Sequence, residues 1–258
     1  MEKVFGPKAY NWDKEFDPSE LADYKIACQS QSLSVMHKYL LGQIRFLRDR
    51  NNEISVLDGG CGYARWVIYL NRQGISCVGV DKNEKVVSQV KQFDPGLPLR
   101  VGDLRELPFR NDSFDLVYSF GVLEHLEEGM DKALIEIYRV LKPGGRVLIT
   151  VPTINWIKGA TKPLRAIRSN LKKKRAWCFR ESRYTKKEVM EALHKNNFRT
   201  VTCDVSDESG IGLWEDFAFL RQPGIFKLNK LGRLICEGFN LISPWITTWG
   251  ILVIGEKK

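Results

Sequence analysis

From Ile54 onward the chain repeats a pattern that leaves few folds open: a short β-branched run, a turn, then a segment with apolar residues at helical spacing. The runs ISVLD (Ile54–Asp58), ISCVGVD (Ile75–Asp81), LPLRVGD (Leu97–Asp103), FDLVYS (Phe114–Ser119) and GRVLITV (Gly145–Val151) read as strands. Between them ARWVIYLNRQ (Ala64–Gln73), NEKVVSQVKQ (Asn83–Gln92) and DKALIEIYRVL (Asp131–Leu141) read as helices. Strands that alternate with helices imply a doubly wound, mostly parallel α/β sheet covered on both faces.

The pattern extends beyond this core. Thr185 followed by Glu188 is a capping-box start for a helix running to about His194, before the Asn196-Asn197 turn. FRTVTCDV (Phe198–Val205) then supplies a sixth strand and WGILVIG (Trp249–Gly255) a seventh. Residues 1–50 show no strong strand signal, and Leu33, Met36, Leu40, Ile44 and Leu47 predict a helical cap. The expected organisation is a single domain over 1–258. It comprises the cap (1–50), a core (51–153), a basic insertion (154–183), a helix and sixth strand (184–208), an aromatic insertion (209–248) and the last strand (249–258).

The formal charge of +9 is concentrated in one region. Asn155–Arg199 holds fourteen Lys and Arg against three carboxylates, so the remainder is slightly acidic. Such a patch suits an anionic substrate, a nucleic acid or an anionic membrane surface, or simply a solvated helix face. The six cysteines (Cys28, Cys61, Cys77, Cys178, Cys203, Cys236) form no CxxC pair and read as reduced thiols, so neither zinc nor a disulfide framework is expected. The opening residues mix charge and aromatics without a secretory apolar core, which predicts a cytoplasmic protein. Gly238–Gly255 is too interrupted by polar residues to predict a transmembrane segment.

The most specific segment is VLDGGCGYARW (Val56–Trp66). An apolar strand ends in Asp58, and Gly60 and Gly62 make a tight turn into a helix. Side chains there would keep a ligand from the backbone, while bare N–H groups and the helix N-terminus can receive polar groups. A glycine turn also serves dinucleotides. The dinucleotide fingerprint GxGxxG is not met, however, because the loop reads Gly60-Cys61-Gly62-Tyr63-Ala64. Asp81 closes the second strand, placed to accept from both hydroxyls of a ribose, and Asp103 closes the third, placed to meet an adenine amino group. Pro143-Gly144-Gly145 has a sufficient explanation as a turn.

Together VLDGGCGYARW, VGVDKNEKVV, VGDLRELPFRNDSFDLVYSFGVLEHL and LKPGGRVLITVP, spanning Val56–Pro152, resemble the class I S-adenosylmethionine-dependent methyltransferases of the ubiquinone-biosynthesis-like, type 11 group. The resemblance implies a seven-stranded Rossmann-like sheet with an antiparallel last strand. The implied cofactor is S-adenosyl-L-methionine, released as S-adenosyl-L-homocysteine. By resemblance Asp58 would hold the glycine loop, and Gly59, Gly60, Cys61 and Gly62 would pack on the methionine part. Asp81 would bind the ribose diol, with Lys82 flanking the adenine. Asp103 would bond the adenine amino group, Leu104 would offer its N–H to the ring, and Ser119 would line the pocket. The usual third glycine is Ala64, whose methyl is expected to be tolerable in a first helical turn.

His125 in GVLEHL is the candidate catalytic base, with Glu124 beside it to orient substrate; His37 and His194 are expected as surface or cap residues of amphipathic helices. Some relatives hold a divalent metal with ExxEH, but Gly121 stands at the first Glu position, so no metal is expected. Ser119-Phe120-Gly121-Val122 lacks the Pro-Pro motif of adenine amino-methyltransferases. The insertions, basic at Lys172–Arg175, Arg180 and Arg183 and aromatic at Trp214, Phe217, Phe219, Phe226, Phe239 and Trp245, are expected to roof an acceptor pocket. The leading expectation is O-methylation of a small-molecule, glycan or lipid-linked acceptor, with peripheral membrane contact. The alternatives are RNA methylation and a cofactor-binding module without transferase activity.

Overall fold

A computed structural model describes residues 1–6, 35–161, 178–206, 217–220 and 228–258. The expectations for Leu33, Lys172–Arg175, Trp214, Phe226 and Cys28 fall outside these residues.

The elements are β1 (Glu2–Gly6), α1 (Val35–Arg48), β2 (Val56–Gly59), α2 (Arg65–Arg72), β3 (Cys77–Asp81), α3 (Glu84–Phe93), β4 (Leu99–Val101) and β5 (Phe114–Phe120). There follow α4 (Asp131–Val140), β6 (Leu141–Pro152), β7 (Cys178–Arg183), α5 (Lys186–Lys195), β8 (Phe198–Val205), α6 (Lys230–Ile242) and β9 (Gly250–Lys257). Seven strands form one sheet in the order β4-β3-β2-β5-β6-β9-β8. Only β9 runs antiparallel, to β6 on one side and β8 on the other.

Alternating side chains give the sheet two apolar faces. Leu57, Val117, Ile149 and Val253 pack with α4 and α5 through Leu134, Ile137, Val189 and Leu193. Val56, Leu116, Leu148 and Leu252 pack with α1, α2 and α3 through Leu40, Ile44, Val67 and Val90. Helix α1 earns its place by the spacing of His37, Leu40, Ile44 and Leu47, all buried on one stripe. The capping box opens α5: Thr185 Oγ1 accepts from the Glu188 N–H at 3.3 Å, and Glu188 Oε2 accepts from the Thr185 N–H at 2.9 Å.

Two local expectations change. Glu2–Gly6 is a strand, paired antiparallel with Cys178–Arg183 in a separate two-stranded sheet. Its partner is distant in sequence and its side chains are mostly half-exposed, so no local alternation marked it. Pro143-Gly144-Gly145 does turn, with Gly144 at φ +74°, but inside β6. There Leu141 pairs with Phe114 and, after an irregularity, Arg146 pairs with Leu116.

Candidate cofactor-binding site

Strand order reverses between β2 and β5, and the carboxyl ends of these neighbours part there, as where open α/β sheets take ligands. A cleft of about 580 Å³ opens at that point, a normal size for a cofactor site. Its walls are the turn after β2 (Gly60, Gly62, Tyr63), the ends of β3 and β4 (Asp81, Lys82, Asp103, Leu104) and the segment after β5 (Phe120, Gly121, Val122, His125). A shallower depression of about 810 Å³ along α5 lies by Phe198, at the opposite, amino end of β8, with no such turn.

The glycine turn is fixed by backbone bonds. The N–H groups of Gly60 and Cys61 both donate to the Val80 carbonyl, at 2.8 and 3.0 Å. Gly60 has φ +83°, and a Cβ on it would lie 2.4 Å from Val122 Cγ2, so only glycine lets the two loops approach this closely. Gly62 has φ +49°, and a Cβ there would meet nothing within 4 Å; it would fill the cleft instead. Ala64 departs from the expectation: it precedes α2 with φ +57° and ψ +27°, a left-handed residue that the first turn does not absorb. Its buried Cβ therefore carries strain on the order of 1 kcal/mol.

Asp81 ties the turn to the next helix. One carboxylate oxygen accepts from the Gly62 N–H at 2.8 Å and the other from the Asn83 N–H at 2.9 Å. Asn83 in turn caps α3. The second lone pairs on each Asp81 oxygen suit a pair of vicinal hydroxyls. Asp103 is gripped by Arg105, whose Nε and Nη2 donate at 2.9 and 2.6 Å; Arg105 also reaches Glu128 at 2.5 Å. Those charge-assisted bonds hold the Asp103 carboxyl below its usual range. Leu104 lines the cleft and its side chain packs on Gly59.

Asp58, Gly59, Cys61 and Ser119 lie beneath the lining. Ser119 is fully buried, and its hydroxyl donates to the Gly59 carbonyl at 2.7 Å, bracing the end of β2. Asp58 sits between Gly79 and Tyr118 in the sheet register. Burial pushes its carboxyl up to about 8, against a hydrogen bond from Tyr118 that favours the charged form. At neutral pH Asp58 is therefore largely protonated. Sequence pattern alone does not mark Tyr118 or Glu128 as partners in the site, whereas Arg105, two residues after Asp103, is a readable sign.

On the other wall a 3₁₀ turn, Leu123–His125, presents the two candidate acid–base groups. His125 Nδ1 lies 2.7 Å from the Arg180 carbonyl oxygen of β7. A carbonyl only accepts, so Nδ1 carries the proton, and in the neutral ring Nε2 holds the lone pair. Burial, the largest influence, lowers the His125 pKa and favours that neutral ring. Glu124 is 1% exposed, with Oε2 lacking a hydrogen-bond partner, and burial raises its carboxyl to about 8. Its Oε1 lies 3.6 Å from where a Cβ on Gly121 would stand, so Glu124 reaches the cleft wall from below. His37 is not a surface or cap residue but is buried on α1 against Tyr69 and Trp66, and it does not line the cleft; His194 lies near the end of α5. Among the described residues no group of three His, Cys, Asp or Glu is arranged to hold a metal.

A doubly wound, mostly parallel sheet with one reversed strand next to its edge, a glycine turn and carboxylates at or just past the ends of the next two strands is the class I methyltransferase fold. The sequence profile of the methyltransferase-domain family matches residues 57–149 of the chain. A probable S-adenosylmethionine-dependent methyltransferase of Mycolicibacterium smegmatis is 34% identical over 111 residues, which is 43% of each protein. A demethylmenaquinone methyltransferase of Streptomyces avermitilis is 42% identical over 96 residues, 37% of this chain and 41% of that one. The match thus spans about two fifths of these relatives' length. A geranyl diphosphate methyltransferase solved with its diphosphate and sinefungin shares the fold, with TM-score 0.58 and 16% identity over 97% of both chains.

The residues fit S-adenosyl-L-methionine. Gly62 leaves a space that a Cβ would fill, Asp81 keeps acceptor capacity for two hydroxyls, and the cleft volume suits a nucleoside with an amino-acid arm.

Proposed function

We propose that the protein transfers a methyl group from S-adenosyl-L-methionine to a hydroxyl of a small-molecule, glycan or lipid-linked acceptor, with His125 as general base. The observation that carries this reading is that His125, which lines the cleft, has Nδ1 in contact with the Arg180 carbonyl, and in the neutral ring this assigns the basic lone pair to Nε2. When bound, the cofactor supplies a methyl group already activated on a sulfonium. Asp81, Lys82, Asp103 and Leu104 would hold its nucleoside, and Gly60 and Gly62 would leave room for its methionine arm. Asp58, Gly59, Cys61 and Ser119 would keep the floor of the site in shape. His125 would take the hydroxyl proton onto Nε2 as the acceptor oxygen becomes nucleophilic. Glu124, buried beneath the cleft wall at Gly121, would help orient the acceptor through that wall. No step requires a metal.

Residues 1–258 are proposed to act as one domain in the cytoplasm. The relatives' names, one a quinone precursor and one an isoprenoid diphosphate, support an apolar acceptor bearing a polar end. The basic stretch Asn155–Arg199 supports RNA as the second reading. The test incubates the protein with methyl-labelled cofactor and separate lipid, small-molecule and RNA fractions of a cell extract. Base-stable label in the lipid or small-molecule fraction is expected, and it should be lost in His125→Gln. Label confined to RNA would replace this reading by the second, and cofactor binding with no transfer to any fraction would leave a binding module.

A further inference from the structure

Helix α6 has two apolar faces where a surface helix ordinarily has one. Its inner face, Gly232, Ile235, Cys236 and Phe239, closes a small core with Leu220 and Leu228. At about 100° per residue, Leu231, Leu234, Leu241 and Ile242 fall on a different arc, roughly 100° wide. That arc points to solvent: Leu234 is 66% exposed, Leu241 90% and Ile242 75%. Trp156 and Phe219, each 67% exposed, belong to the segments that share this small core through their neighbours Ile157 and Leu220. Six large apolar side chains are thus exposed on α6 and on the segments that share its core, where soluble proteins ordinarily scatter them singly.

We infer that this layer is a docking surface for an anionic lipid bilayer, with α6 lying in the interfacial plane. Charge selects the occupant. Lys230 and Arg233 flank the apolar arc on its polar side, with Glu237 the single carboxylate on the helix. Long basic side chains beside an apolar stripe bury their stems and hold their charges at headgroup level. The arc from Leu231 to Ile242 is only about 16 Å long, too short to cross a bilayer. Among the described residues no helix is long and apolar enough to do so. The contact is therefore lateral and reversible, and it goes beyond the methyl-transfer reading without depending on it.

The test is flotation of the full chain with phosphatidylcholine vesicles prepared with and without phosphatidylglycerol. Binding is expected to the anionic vesicles only, to weaken with salt, and to fall at least ~10-fold in Leu234→Glu/Leu241→Glu. S-adenosylhomocysteine affinity, measured on the same samples, should be equal in both proteins; this shows that the variant is folded and separates failure here from failure of the cofactor site. Brominated lipid should quench the emission that distinguishes wild type from Trp156→Phe. Absence of vesicle binding overturns the inference, as does binding unchanged in the double variant. Self-association that the double variant abolishes, without vesicle binding, also overturns it and assigns the face to a second copy of the chain.

Discussion

The cofactor wall and the outer layer of this molecule are built by opposite means. The turn after β2 rests on a sheet whose two faces are fully covered, and nearly every polar group in it has a partner: Val80 holds Gly60 and Cys61, and Asp81 holds Gly62. Among the described residues the layer around α6 buries three apolar residues, Leu220, Leu228 and Cys236, and presents more large apolar side chains to solvent than it buries. A site that must hold one invariant ligand is preorganised by the main core, whereas a surface meeting a variable partner needs little core of its own. The candidate base sits between them, since His125 is oriented by a carbonyl of β7, outside the main sheet.

Breaking the rigid side should have the largest consequence. Gly60→Val places side-chain atoms inside the volume of Val122 at a left-handed position. We expect at least ~3 kcal/mol of destabilisation in urea and loss of measurable S-adenosylhomocysteine binding. His125→Gln should lower transfer by about 10²- to 10⁴-fold while leaving cofactor affinity within about twofold. Equal loss of both would mean that His125 supports the loop and performs no chemistry.

The contrast between core and layer can be sharpened by paired truncations. Leu116→Ala, in the fully buried centre of the sheet, should cost about 2–5 kcal/mol. Leu228→Ala, under α6, should cost about half as much or less, with hydrogen exchange accelerated in α6 alone.

Asp58 and Glu124 give the same comparison a pH dependence. Both have native pKa values near 8, above the ordinary carboxyl range of the unfolded chain, so the native state retains protons that the unfolded state has lost. Their stabilisation is complete below about pH 4 and disappears as pH rises through 8. Thermal melts should therefore decline from pH 6 to pH 9, and Asp58→Asn should flatten that limb. A decline of the same steepness in the variant would refute the buried-acid assignment. The smallest effect belongs to Ala64→Gly, where relief of left-handed strain and loss of a buried methyl nearly offset, leaving a change within about 1 kcal/mol.

What could be read from the sequence follows the range of the interactions. Asp58, the glycine turn, Asp81 and Asp103 lie at or just past the carboxyl ends of strands, so alternation and turn chemistry mark them within a short window. The reversed β9 follows from the resemblance of the whole core. Tyr118 could not be found this way, because its bond to Asp58 depends on the register of β2 against β5. The β1–β7 pair escaped for the same reason: its partners are far apart and half-exposed, leaving no periodic signal. Ala64 was misplaced because a backbone angle, unlike a side-chain pattern, is invisible in residue type. The apolar residues of α6 were visible as an aromatic and aliphatic stretch, but only the packed helix shows that they divide into two faces.

The central claim is that the crevice between β2 and β5 receives S-adenosylmethionine through the carboxylates of Asp81 and Asp103. Calorimetric titration of the wild type and of Asp81→Asn with S-adenosylhomocysteine tests it most directly. One saturable site, weakened at least ~10-fold by the substitution, is the outcome expected. A wild type that ignores this ligand but binds a nicotinamide dinucleotide, or an Asp81→Asn titration indistinguishable from wild type, would contradict it.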